Sequence, residues 1–213
     1  MSDTGAISAA EERMAAVDGG GWWQELNMLD AAAYAAIAAT PTPVLDRVFR
    51  RVSRSADHWK LWLGSAAALG IVGGTRGRRS AVNGLAAMAV SSAVVHGVLK
   101  PLGDRRRPDR DRHHVPIGRH VPMPISTSFP SGHAASAAAF STGVASAFPE
   151  TGAPLSAAAA LVAYSRVHTG VHYPVDVVAG AVTGTAVAQL VVTLIDHRRK
   201  RRTVAGRPGR PGA

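Results

Sequence analysis

His172 stands four residues ahead of Asp176, between one apolar stretch that runs toward Val171 and another that begins at Val175. A carboxylate so placed can accept a hydrogen bond from one ring nitrogen, which fixes the tautomer and leaves the other nitrogen basic and directed outward. The pair has the makings of a nucleophile and its orienting group. A second imidazole, His133, follows Pro130-Ser131-Gly132 at the expected start of a helix. First-turn N–H groups there lack intrahelical partners and attract an anion, so His133 reads as an acid beside an oxyanion cradle. Lys100, the Arg of Arg107-Pro108 and the Arg of Ser165-Arg166 add fixed positive charge, and the guanidinium fork matches phosphate oxygens. No group of side chains with metal-ligand spacing accompanies them, so neither a metal nor another cofactor is expected.

The remaining polar residues have plainer readings. Arg105, Arg106, Arg110 and Arg112 lie in a charge run from Asp104 to Arg112, and such runs are usually solvated loop. His96, His113, His114, His120 and His168 lack a motif of their own and are expected to be packed or hydrogen-bonded. Pro174 doubles as a helix-start signal for the segment that follows His172.

These residues must be positioned by the stretches between them: Leu61 to Gly74, Ala81 to Leu99, Ala134 to Phe148, Leu155 toward Val171, and Val175 to Ile195. Ala-dominated runs lack the β-branched alternation of strands, so the predicted class is all-α. Gly180 and Gly184, four residues apart, suit close helix contact in lipid. The expectation is an integral-membrane helical bundle of about five transmembrane helices, although only two stretches reach the ~17–20 apolar residues that a span needs. A soluble Ala-rich bundle is the rival. Four organisational segments follow: a polar leader over 1–21, an N-terminal interfacial helical region over 22–56 with Trp22 and Trp23 at headgroup level, the bundle over 57–196, and a basic disordered tail over 197–213. The leader has no basic start followed by an apolar core, so no cleavable signal is expected.

Net charge is +10, from 24 Lys and Arg against 14 Asp and Glu. The charge sits in loops and in the tail from Arg198 to Arg202, between uncharged stretches, which is the distribution of a membrane protein rather than of a nucleic-acid binder. Nucleic acid is therefore excluded as a partner, and the membrane is implied as one. With no cysteine in the chain, disulfides, thiolate catalysis and Cys-ligated zinc are also excluded.

Taken in order, Lys100 with six residues to Arg107-Pro108, then Pro130-Ser131-Gly132-His133, then Ser165-Arg166 with five residues to His172 and three more to Asp176 resemble the signature of the type 2 phosphatidic acid phosphatase and vanadium haloperoxidase superfamily. Every signature position is filled, and the likeness spans Lys100 to Asp176. The resemblance implies that His172 attacks phosphorus to form a phosphohistidine, that Asp176 orients it, and that His133 protonates the leaving oxygen and then activates water. It also implies that Lys100, Arg107, Ser131, Gly132 and Arg166 hold the phosphoryl oxygens, without a metal.

The function that follows is hydrolysis of a phosphomonoester or diphosphate on a lipid: phosphatidic acid, phosphatidylglycerol phosphate, a polyprenyl phosphate or diphosphate, or a polyprenyl phosphosugar. Two other readings share the anion site, a vanadate-dependent haloperoxidase and a non-catalytic lipid-phosphate binder or transporter. Oligomeric state is not legible. Counting crossings puts the three motifs on one side and the basic turn Arg76 to Arg79 on the other with the tail. Positive-inside bias then predicts an inner-membrane protein whose site faces away from the cytoplasm.

Overall fold

Helix α6 (Gly132–Ala145) is the axis on which the other helices pack. Its sequence is mostly Ala, Ser and Gly, which favours helix through Ala and lets neighbouring backbones come close. Ser131 caps it, the hydroxyl oxygen accepting the Ala134 N–H at 3.4 Å. Against α6 lie α4 (Gly74–Val94), α7 (Gly152–His168) and α8 (Pro174–Ala205), and α3 (Lys60–Val72) covers α4. A π turn over Val95–Leu99 carries α4 into the short α5 (Lys100–Leu102). Two further helices, α1 (Thr4–Ala39) and α2 (Pro43–Ser55), precede the bundle and close over one of its ends. This computed structural model describes residues 4–205, with side chains for 21–202, and among them every regular element is helical.

Close approach of α6 and α8 depends on the two glycines singled out in the sequence. A Cβ on Gly180 would overlap the Ser131 carbonyl, and one on Gly184 the Ala135 carbonyl. Between α4 and α6, Gly143 likewise lies against the Asn83 carbonyl, where a Cβ would stand 2.8 Å away. Larger side chains fill the other seam: Trp62, Met88, Phe140 and Val144 form the main apolar cluster, with the Trp62 and Phe140 rings 5.3 Å apart. We expect Gly184→Ala to force α8 outward and lower stability by about 1–3 kcal/mol. Gly64→Ala on α3, where an added Cβ meets nothing within 4 Å, should be neutral or slightly stabilising. Thermal denaturation of the two variants in detergent checks the contrast.

Two helical segments are long and apolar enough to cross a membrane, Gly74–Leu102 and Pro174–Arg202, with mean hydropathies of 1.6 and 1.9. The other expected spans fall on α3, α6 and α7, which have 13, 14 and 17 residues and so reach less far than the ~20 residues of an upright crossing. Apolar residues turned outward, including Val178, Val182, Leu190 and Leu194 on α8, give the bundle a surface suited to lipid rather than water.

The ends of the chain differ from the sequence expectation. Helix α1 continues through Gly19–Gly21, so the glycines do not divide a polar leader over 1–21 from the helix that follows. Glycine inside a helix costs about 1 kcal/mol relative to Ala, and the residues on either side are good enough helix formers to carry it. Residues 1–3 lie outside the described part. At the other end, α8 runs on through the basic run to Ala205, so positions 197–205 are helical rather than disordered; residues 206–213 lie outside the described part.

A buried arginine locks the N-terminal helices to the bundle. Arg119, fully enclosed, donates from Nε to Asp46 at 2.7 Å and from Nη1 to the Ile37 carbonyl at 2.9 Å, which satisfies the C-terminal end of α1. Asp46 on α2 also accepts from His168 Nε2 at 2.9 Å. His168 is thus a packed, hydrogen-bonded histidine, as its lack of a motif predicts. The start of α3, the end of α4, the starts of α6 and α8 and the end of α7 all meet at the end that α1 and α2 cover, so the chemistry-bearing residues are collected there. Surface pairs Arg76–Glu150 at 3.1 Å and Arg79–Asp196 at 2.9 Å mark the opposite end.

Candidate active site

His172 lies in the turn between α7 and α8, its backbone N–H donating to the Arg166 carbonyl at 3.2 Å. The side chain is 2% exposed. Its Nδ1 faces Asp176 Oδ2 at 3.5 Å, and its Nε2 sits 3.2 Å from Arg107 Nη1. A guanidinium can only donate, so the contact requires Nε2 to be the unprotonated nitrogen. Burial drives the ring's pKa down to about 3; the Asp176 hydrogen bond opposes this and the charge of Arg107 adds to it. The imidazole is accordingly neutral above that pH, with its lone pair pointing where Arg107 collects anionic charge.

Asp176 is held harder than its spacing alone suggests. Oδ1 takes Arg105 Nη1 at 2.7 Å; Oδ2 takes the Tyr173 N–H at 2.8 Å and the Ser128 hydroxyl. Arg105 also donates through Nη2 to Asp30 on α1 at 2.6 Å, and Asp30 accepts the Val175 N–H at 2.9 Å. Arg105 is therefore not the solvated loop residue its charge run implies: it ties α1 to the start of α8. Arg110 departs from that reading as well, donating from Nη1 to the Val121 carbonyl at 2.9 Å and from Nε to the Gly170 carbonyl at 3.3 Å. Arg106 and Arg112 are exposed, as expected.

The three predicted cations come together around these imidazoles. Lys100 Nζ donates to the Thr127 carbonyl at 2.6 Å and the Ser126 hydroxyl at 3.2 Å, and Arg107 grips the same two residues from Nε and Nη2 while reaching the Val171 carbonyl from Nη1 at 2.8 Å. Arg166, 2% exposed, donates from Nη1 to the Ser53 hydroxyl and lies 3.8 Å from Asp57 Oδ1. Its Nε is buried with no hydrogen-bond partner among the described residues. An orphaned guanidinium N–H inside a protein is costly unless something outside the chain accepts from it. Ser131 joins the two halves: its N–H donates to the Asp176 carbonyl at 2.9 Å, and Gly132 opens the first turn of α6.

His133 Nε2 meets Asp57 Oδ1 at 3.0 Å. That bond holds the Asp57 carboxyl below its usual range, more than burial raises it, and the nearby Arg166 charge adds to the effect. Asp57 is a site residue that the motif spacing does not reveal. It precedes two non-glycine residues in the left-handed region, His58 at φ 54° and Trp59 at φ 62°, a strained turn that aims it at α6. Ser128, Asp30 and Ser53 are the other partners missed from sequence; among these, Ser128, two residues ahead of Pro130, was the nearest to being found.

The eight residues expected from sequence thus fall into two contact groups, His172 with Asp176, Arg107, Lys100 and Ser131 on one side and Arg166 with His133 through Asp57 on the other. The run Ser131-Gly132-His133 joins them along the chain. A neutral imidazole, a second imidazole paired with a carboxylate, three cations and an open helix N-terminus can bind a tetrahedral anion, attack it and supply a proton.

Comparison with known proteins agrees with this geometry. Residues 81–200 match the model of the PAP2 superfamily. A decaprenylphosphoryl-5-phosphoribose phosphatase from Mycobacterium tuberculosis is 34% identical over 176 residues, 79% of this chain and 93% of the relative. The crystal structure of Aquifex aeolicus LpxE superposes with a TM-score of 0.65 at 25% identity, covering 78% of this chain and 95% of that one. The first transmembrane PAP2 type phosphatidylglycerolphosphate phosphatase from Bacillus subtilis shares the fold with a TM-score of 0.64 at 22% identity, over 86% of this chain and 90% of that one. With the three motifs gathered at one end of a membrane bundle and relatives matched over most of their length, the chain belongs to the PAP2 superfamily and is a membrane lipid phosphatase.

Proposed function

We propose that the chain hydrolyses a lipid phosphate through a covalent phosphohistidine and without a metal. The observation that carries this is the pairing of a neutral, buried His172, its Nε2 beside Arg107, with an unpartnered Nε on Arg166. His172 Nε2 attacks phosphorus, the bond to the leaving oxygen breaks, and His133 gives that oxygen a proton. Water then attacks the phosphohistidine, losing its proton to His133, and inorganic phosphate departs. Asp176, fixed by Arg105, Ser128 and the Tyr173 N–H, stays anionic and stabilises the positive charge that His172 gains on attack. Lys100, Arg107, Arg166, the Ser131 hydroxyl and the N–H groups opening α6 hold the equatorial oxygens where negative charge spreads in the transition state. The acceptor role of Ser131 towards Ala134 leaves its own O–H free to donate.

Phosphate release from a lipid phosphate by the purified chain in detergent tests the reading. Activity should persist in excess chelator and be suppressed by vanadate or inorganic phosphate, because the three cations occupy the role of a metal. Loss in chelator with recovery on adding magnesium would contradict it. The substrate class we favour is a phosphorylated polyprenyl sugar, supported by the relative that is matched over nearly its whole length.

The site is proposed to face away from the cytoplasm of a bacterial inner membrane, with Arg76 to Arg79 and Arg198 to Arg202 inside. Since the chain has no cysteine, Ile125→Cys at the site end and Glu150→Cys at the other, both exposed, can be labelled one at a time in intact cells. An impermeant reagent should reach position 125 alone; labelling of 150 alone would reverse the topology.

A further inference from the structure

Beside His133 the bundle opens into a cavity of about 140 Å³, bordered by Trp59, Trp62, His96, Gly132, His133 and Ser136. Of the two site imidazoles only His133 borders it, so it lies on the acid side of the reaction. In phosphoryl transfer the attacking and leaving groups stand in line on opposite sides of phosphorus. The group that His172 displaces must therefore come to rest at His133, where this cavity begins.

Its walls describe what fits. A cavity of about 150 Å³ takes one six-membered ring. Trp59, 37% exposed, offers an apolar indole face, and the buried Trp62 ring backs the wall through its packing on Phe140. The polar groups are arranged for hydroxyls. Ser136 is 4% exposed, and its hydroxyl, bordering the cavity, has no hydrogen-bond partner among the described residues. His96 donates from Nδ1 to the Ser92 carbonyl at 3.0 Å, so in the neutral ring Nε2 is the acceptor. An acyl or prenyl chain in this space would cover the Ser136 hydroxyl without giving it a partner, at the cost that attaches to a buried, unmade hydrogen bond.

We propose that the cavity is a leaving-group subsite for a hydroxylated ring, a sugar whose own oxygen carries the phosphate to be removed. This rests on the phosphohistidine reading, since it is His133 as acid that locates the leaving oxygen. The bare ring face lies on Trp59, and ring hydroxyls meet Ser136 and His96.

Ribose 5-phosphate and pentyl phosphate carry the same phosphate and the same number of carbons, but only the first has a ring and free hydroxyls. Phosphate release by the full chain in detergent should favour ribose 5-phosphate in kcat/KM. Ser136→Ala should raise KM for ribose 5-phosphate roughly tenfold while leaving pentyl phosphate unchanged. It is a small change inside a helix and preserves the fold, so its outcome decides the matter. Equal turnover of the two substrates by the wild type, or equal losses in the variant, would overturn the subsite and leave the phosphatase intact. Release from neither substrate, with a lipid phosphate also untouched, would overturn both.

Discussion

His172→Ala should abolish phosphate release and leave the protein folded. The loss in kcat expected for removing a nucleophile that acts with its orienting group is on the order of 10⁶-fold. No other group is placed to replace it: His133 is committed to Asp57 at 3.0 Å, Asp176 is engaged by Arg105, Ser128 and the Tyr173 N–H, and the rest are cations or the N-capping Ser131. Folding survives because Asp176 is not left as a bare buried charge. Arg105 at 2.7 Å, the Tyr173 N–H at 2.8 Å and the Ser128 hydroxyl continue to satisfy it. Circular dichroism and thermal denaturation matching the wild type, with phosphate release gone, is the expected result; wild-type-like release would remove His172 from the mechanism.

His133→Ala should show a loss that depends on what leaves. An alkoxide needs the proton, so a lipid phosphate should lose about 10²–10⁴-fold, whereas nitrophenyl phosphate, whose leaving group departs as a stable anion, should lose far less. Asp57→Asn should show the same selectivity in weaker form, since it keeps the shape of the contact but removes the charge that favours protonated His133. Kinetics on the two substrates separate this from simple misfolding, which would lower both alike. Equal losses would make His133 a phosphate ligand rather than an acid.

What could be read from the sequence was whatever is local. Lys100, Arg107, the Ser131-Gly132-His133 run, Arg166, His172 and Asp176 advertise themselves because turn and helix-start geometry over a few residues places them, and the fold brings them to one end of the bundle. Partners chosen across the fold leave no such trace. Asp57 reaches His133 over 76 positions, and Arg105 reaches Asp176 over 71 and Asp30 over 75. Arg105 looks in sequence like Arg106 beside it, and only its distant partners, Asp30 on α1 and Asp176 on α8, separate the half-buried cation from the solvated one. The helical continuation of α8 did have a signal: Arg and Lys are good helix formers, and the first breaker after Asp176 other than the glycines packed on α6 is Gly206. Reading the basic run as a tail gave charge more weight than propensity. At Gly19–Gly21 the opposite happened, since three helix-breaking residues were outweighed by their flanks.

The covalent intermediate is open to direct observation. The full chain in detergent, mixed with a substrate carrying radiolabelled phosphate and quenched in alkali within the first turnovers, should retain label on protein. Phosphohistidine survives alkali and is lost in acid, unlike phosphoserine, and peptide mapping should place the label on His172. Label on His172 in the wild type, absent in His172→Ala, is the predicted result. Steady release of phosphate with no protein-bound label at any quench time, or label on a peptide other than that of His172, would contradict a histidine nucleophile and with it the assignment of the site.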